Sequence, residues 1–325
     1  MTLCISAACN HYDDPALVLV SDTRSLSSSR EWGLSISSEN AEKMREIGKF
    51  QALVAGDPTE ADSLLAQCAE AIEKFSCKES GPDSDLHYDD LFRGLRLGAG
   101  RRMKQIQDHF IAMNSPFGGI DDFLARGKAS LPELQYRDLW MDIQRLHLNS
   151  EVIVAGFHGD DVVMVKIDTK GSTHWMDQYA VIGTGSAEAL AFLAQNHFDE
   201  TKIKLEDCLL RLVEALEFAG IANNTVGSFK RTGVFFRDGS EWDVKDSFFE
   251  EVLKPRIRLA SVVDLGDCGD FLERVDDDEE VSSSSEEKRT EPADAGNEQP
   301  SGQSSVSAEG GASAPPGSVP RDSAE

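Results

Sequence analysis

The order in which the periodicity changes along the chain limits its fold more than any other feature. Up to residue 57 the apolar residues fall in short runs with β-branched or small members: LCISAAC, ALVLVSD and FQALVAG. HYDDP between the first two reads as a turn. From 58 to 75 leucine, alanine and isoleucine recur at helical spacing behind a proline and an acidic first turn. A second helical stretch covers 89–113. Strands return in EVIVAGF and DVVMVKID, joined by a turn at His158-Gly159-Asp160, and again in YAVIG. Helices are expected over 187–196 and 205–219, a strand at TGVFF and a short helix over 247–253. The resulting order is strands, helix pair, strands, helix pair, strand. A parallel doubly wound sheet needs strict βαβ alternation, so that class is excluded. An α+β fold of two hairpin-rich sheets, each covered by a helix pair, fits.

Between the second helix and the returning strands, 114–149 reads as an insertion, irregular at first and helical again around 134–146. The folded part is expected over 1–275. From 276 the chain becomes DDDEEVSSSSEEKRTEPADAG and continues rich in Ser, Gly and Pro, without an aromatic residue. This segment, 276–325, carries −10 of the net charge of −26. It cannot bury enough apolar surface to offset its ordering entropy, so it reads as a disordered acidic tail, solvating rather than docking. The remaining −16 makes the folded part acidic in its own right.

That charge excludes the classes that bind phosphates or anionic membranes through a basic surface, so neither nucleic acid nor membrane is expected as a partner. No run approaches the 18 or so apolar residues of a membrane span, and no secretory signal opens the chain. Cys4, Cys9, Cys68, Cys77, Cys208 and Cys268 lack CxxC spacing, which argues against a zinc site and a disulfide framework. They are expected as small core residues in a reduced, cytoplasmic setting. His158 and His174 have no second ligand at metal spacing. The segment Gly183-Thr184-Gly185-Ser186 before a helix lacks the lysine of a phosphate-binding loop. Arg101, Arg102 and Lys104 read as a solvated helix face.

Chemistry concentrates at the amino terminus. The second residue is Thr2, and a methionine before a small residue is normally removed. A terminal threonine joins a hydroxyl nucleophile to a free amine whose reference pKa of about 7.7–8.0 suits a general base. Such a nucleophile needs a lysine to tune the amine, a carboxylate to hold that lysine and an N–H facing the developing oxyanion. Candidates are Asp22 in VSDTR, Lys43 in NAEKMREI and Gly56 in VAGDP. Taken singly each has a plain alternative: a surface pair of Asp22 with Arg24, a solvated Lys43, a strand-ending Gly56.

Taken in order, Thr2, Ser-Asp-x-Arg, Glu-Lys-Met, Ala-Gly-Asp before a helix and Ile-Gly-Thr-Gly-Ser before another resemble the β-type subunits of the proteasome. These belong to the N-terminal-nucleophile hydrolases, with the bacterial HslV peptidase and the bacterial proteasome-like proteins that begin Met-Thr-x-Cys. The opening MTLC is most similar to the last group. The resemblance covers about 2–57, 151–196 and 202–237. It implies a four-layer αββα sandwich and a threonine-type peptidase without metal or organic cofactor. It implies Thr2 as nucleophile, Asp22 and Lys43 as its charged partners, and Gly56 as an oxyanion donor. Arg24, Thr184 and Asn223 would support them. The implied partners are a peptide or unfolded-protein substrate, further copies of the chain and an ATPase unfoldase.

The chain departs from the family at IANNTVG, where, with Gly227 as the anchor, Asn223 stands at the position of an aspartate and Val226 at that of a serine; a register one residue on would put Asn224 at the aspartate position. Asparagine hydrogen-bonds but carries no charge, and valine has no hydroxyl. This departure, with the insertion, leaves open a non-catalytic scaffold of the same fold; an amidase for small amides, which would share the nucleophile, also stays open.

Overall fold

The computed structural model describes residues 2–12, 14–22, 25–29, 34–38, 42–79, 88–196, 198, 203–223, 226, 230–244 and 272–274. At 25–29, 34–38, 76–79, 88, 230 and 272–274 it describes main chain only. All of these lie within Met1–Asp277. Arg24, the helix expected over 247–253 and the acidic tail lie outside the described residues.

The elements are β1 (Leu3–His11), β2 (Asp14–Asp22), β3 (Ser25–Ser29), β4 (Leu34–Ser38), β5 (Met44–Ile47), β6 (Phe50–Gly56), α1 (Pro58–Glu79) and α2 (Tyr88–Asn114). Then come α3 (Ile120–Ser130), α4 (Glu133–Arg145), β7 (Ser150–His158), β8 (Asp161–Ile167), β9 (Thr173–Met176) and β10 (Tyr179–Gly183). The last are α5 (Ser186–Gln195), α6 (Leu205–Ala222), β11 (Lys230–Phe236), β12 (Glu241–Val244) and β13 (Leu272–Arg274). One sheet runs β10-β1-β2-β11-β12-β13, a second runs β5-β6-β7-β8-β9, and β3 pairs with β4. The pairings within them are antiparallel.

The apolar runs lack polar alternation because both faces of the central strands are buried. On β1 and β2, Leu3, Ile5, Ala7, Val18 and Val20 join a cluster with Leu209, Leu212 and Leu216 of α6. The intervening Cys4, Leu17 and Leu19 join Leu53, Ala55, Ile153 and Ala155 of the second sheet. On β6 and β7, Ala52, Val54, Val152 and Val154 pack with Leu64, Cys68, Leu91 and Leu95 of α1 and α2. Side chains alternate across a strand, so each strand supplies two separate interfaces.

The helix boundaries have local causes. Asp57 caps α1, its Oδ1 accepting the N–H groups of Thr59 at 2.8 Å and Glu60 at 3.2 Å, while Pro58 fills the first helical position. Cys4, Cys9, Cys68 and Cys208 are free and buried, as expected of core thiols.

The stretch expected to be irregular after 114 is more regular than its sequence suggests. It holds α3, and the helix expected around 134–146 follows as α4; their Ile120, Phe123, Leu139 and Ile143 form a core of their own with Ile111 and Phe117. The helical spacing of α3 is hidden because its third buried position is Gly127. Phe123 and Tyr136 stack over the place where an apolar side chain would have marked the period.

Candidate functional site

Thr2 enters β1 from one end of the first sheet and is 6% exposed. Its neighbour Leu3 donates its N–H to Oδ1 of Asp22, the last residue of β2, at 2.7 Å. The same oxygen accepts the Lys43 ammonium at 2.6 Å. Asp22 is 0% exposed and Lys43 4%. Lys43 immediately precedes β5, and its carbonyl accepts the Val54 N–H at 2.9 Å, which ties it to β6 of the second sheet. One carboxylate oxygen thus joins the peptide after Thr2 to an ammonium delivered by the other sheet. A buried charge pair of this kind persists only when geometry and hydrogen bonds offset the desolvation of both ions. The alternatives of a solvated Lys43 and a surface Asp22 do not hold.

The Thr2 carbonyl is held from the opposite side. Thr184 donates its N–H to that oxygen at 2.8 Å, and its hydroxyl stands 3.5 Å away. Gly183 pairs with Leu3 in the register of β10 and β1. Its φ is +98°, and a Cβ there would sit 1.9 Å from the Thr2 oxygen, so only glycine fits. The loop that resembles a phosphate cradle in sequence therefore spends a donor, the Thr184 N–H, on Thr2.

Asn223 caps the end of α6 and donates from Nδ2 to the Thr184 carbonyl at 3.3 Å. Val226 is buried in the α6 cluster, and a Cβ at Gly185 would approach its Cγ2 to 2.8 Å. The valine packs under the turn, where a hydroxyl would have offered a hydrogen bond.

Gly56 ends β6 with φ +104°, opposite Ser150 of β7. A Cβ there would lie 2.1 Å from the Asn149 carbonyl, which accepts the Asp57 N–H at 2.9 Å. Cys4 connects this strand end to β1, donating its thiol to the Val54 carbonyl at 3.5 Å. Burial pushes that thiol well above its ordinary range, and the nearby Lys43 ammonium offsets the shift only in part. Cys4 is accordingly a neutral thiol near neutral pH.

The structure thus gathers Thr2, Asp22, Lys43, Thr184 and Asn223 through shared hydrogen bonds, and places Gly56 at the end of the strand that Cys4 and Lys43 both touch. Two residues outside the sequence motifs join them. Glu151 on β7 accepts the Gly183 N–H through Oε2 at 3.0 Å and pairs through Oε1 with Lys166 of β8 at 3.2 Å. Their signal in the sequence is slight: each places a charge on the strand face shared with Ile153 or Met164, which is otherwise apolar.

His174 binds Asp168 at 3.0 Å in the turn before β9. Among the described residues no cluster of three or more His, Cys, Asp or Glu is arranged to hold a metal ion, and no helix is long and apolar enough to cross a membrane.

No family model matches the chain, and no curated protein matches it. Among solved structures it is similar to eukaryotic HslV from Trypanosoma brucei, at 17% identity over 73% of this chain and 100% of that chain, with a TM-score of 0.43.

Proposed function

We propose that this chain is an N-terminal-nucleophile hydrolase of the threonine peptidase type, with Thr2 as nucleophile once Met1 is removed. The observation that carries the reading is the convergence of the Lys43 ammonium and the Leu3 N–H on one buried oxygen of Asp22. It supports a site built around the residue that precedes Leu3. The packing clusters, with α5 and α6 on one sheet, α1 and α2 on the other and apolar residues between the sheets, support a four-layer αββα sandwich.

In this mechanism the free amine of Thr2 takes the proton from its own hydroxyl, directly or through a water, as Oγ attacks the scissile carbonyl. Lys43 is the adjacent positive charge that lowers the amine's proton affinity and stabilises negative charge developing on Oγ. Asp22 holds Lys43 in place through the 2.6 Å contact. The Gly56 N–H is the proposed donor to the tetrahedral oxyanion. Collapse breaks the C–N bond, and the proton held by the amine passes to the departing amine of the substrate. The acyl group remains as an ester on Thr2 until water, deprotonated by the same amine, releases it as a carboxylic acid.

The chain is further proposed to act on peptides or unfolded protein in the cytoplasm, as a homo-oligomer that encloses its sites, fed by an ATPase unfoldase. Arg24 is proposed as a supporting residue by its place in Asp-x-Arg. A non-catalytic scaffold is the second reading. It is favoured by the uncharged Asn223 and by Val226, whose side chain is committed to the core.

Intact mass spectrometry decides between them. The peptidase reading expects loss of Met1 and one adduct on Thr2 after treatment with an epoxyketone or β-lactone, and no adduct or peptide cleavage in Thr2→Ala. A folded wild-type protein that retains Met1, or never forms the adduct, establishes the scaffold. Turnover of small amides but of no peptide would indicate an amidase.

A further inference from the structure

Two carboxylates approach the start of β1, one from each sheet, and the mechanism above uses only Asp22. Glu151 is the other. It is the second residue of β7, paired with Ala55 and next to the pair of Ser150 with Gly56. Each of its oxygens has its own partner, the Gly183 N–H and the Lys166 ammonium. Lys166 also donates to the Val181 carbonyl at 3.1 Å, so the ammonium is shared between β7 and β10. The two side chains are about one-fifth exposed, Lys166 at 21% and Glu151 at 22%.

A sheet-to-sheet tie needs no charge at these positions. The surrounding face is apolar, and replacing a partly buried ion pair with packed hydrophobic residues is commonly neutral or stabilising. What the carboxylate supplies, and an apolar side chain does not, is an acceptor for Gly183. That acceptor has a consequence one peptide further on. Gly183 is locked against the Thr2 carbonyl at φ +98°, and the next N–H, that of Thr184, is the one bonded to Thr2. Only φ and ψ of Gly183 separate its amide from that of Thr184, so holding the first restricts the direction of the second. Asp22 holds the chain just after Thr2 through Leu3, and Glu151 holds the turn that grips its carbonyl.

We propose that Glu151, braced by Lys166, is a positioning residue for the nucleophile, acting through the Gly183–Thr184 turn. The assignment rests on the reading of Thr2 as the nucleophile. Glu151 bonds to the turn and not to Thr2, so its loss misplaces Oγ without removing a group that touches substrate. Misplacement on the scale of an ångström costs about a hundredfold in rate.

The test uses the full-length chain, the β-lactone and a short peptide substrate. Glu151→Leu lowers the second-order rate constant for acylation of Thr2 about tenfold to a hundredfold, the range for a lost hydrogen bond to a charged group. For the peptide, kcat falls and KM stays. Glu151→Gln keeps an acceptor for Gly183 and recovers the rate to within about fivefold of wild type. Amide exchange at Gly183, slow in wild type and the glutamine variant, becomes fast in the leucine variant. Lys166→Met removes the brace but keeps the acceptor. It slows acylation by a smaller factor, and it decides the matter should the leucine variant not fold. Wild-type rates in both Glu151→Leu and Lys166→Met, or a glutamine variant no better than leucine, overturn the proposal. Should the wild-type protein itself not acylate, the nucleophile reading fails. Gly183 exchange then decides the positioning alone, and equal exchange in wild type and Glu151→Leu refutes it.

Discussion

Replacing Lys43 with methionine removes a cationic partner from a carboxylate that has no access to water. Asp22 is 0% exposed, and the Lys43 contact at 2.6 Å is an ion pair with it. In the variant the same oxygen keeps the Leu3 N–H at 2.7 Å but loses the ammonium that lay 2.6 Å away. Breaking a buried pair from one side costs about 3–5 kcal/mol, against about 0–1 kcal/mol for a surface pair. The expected loss is therefore in the upper range, a large part of the total stability of an ordinary domain. The double variant Asp22→Asn/Lys43→Met removes both charges and keeps an acceptor for Leu3. It is expected to recover at least half of that loss, because the carboxylate charge buried without the ammonium, and not the missing methylene contacts, dominates it. Urea unfolding of wild type, both single variants and the double variant at one protein concentration gives the coupling energy directly. All three variants are expected to lose Thr2 acylation, whatever their stability. A cost below about 1 kcal/mol for Lys43→Met would refute the argument, since it would show the pair to be solvated. A double variant no more stable than Lys43→Met would also refute it.

Two further outcomes follow from individual residues. Gly56→Ala places a Cβ against the Asn149 carbonyl at a φ of +104°, so it is expected to cost at least the 1–3 kcal/mol or so of backbone strain and to lower Tm by several degrees. An unchanged Tm would show that β6 ends less tightly than described. Burial, with Glu217 nearby, raises the Glu214 carboxyl above its ordinary range. The folded state therefore binds this proton more tightly than the unfolded chain does, and the group's contribution to stability declines as pH rises through its folded titration range. Glu214→Gln is expected to raise Tm at pH 7 slightly, because the group is only partly buried and is screened, and to lose that advantage below the ordinary carboxylate range. A benefit that grows on acidification would contradict the sign.

The block order of strands and helix pairs was legible because it is local. Helical spacing marked α1, α2, α5 and α6, and uninterrupted apolar runs marked β1, β2, β6, β7 and β8, whose two faces are both buried. Short elements left no such mark. THWM and EWDV hold four residues each, and α3 loses its periodicity at Gly127. Thr2, Asp22 and Lys43 were legible as a set through their order in a resembling motif, and each alone read as ordinary surface chemistry. Burial separates the two readings, and burial belongs to the packed sheets.

Val226 shows the limit of motif reading: the sequence marks a missing hydroxyl, while the structure shows a side chain filling the space beside Gly185. Glu151 and Gly183 lie 32 residues apart, and their contact depends on the register of two strands and the approach of two sheets. The sequence by itself determined which segments became strands and helices, because periodicity is set by neighbours within a few residues. Which charges met was decided only by the tertiary structure, because strand register and sheet-on-sheet packing are set by the whole core at once.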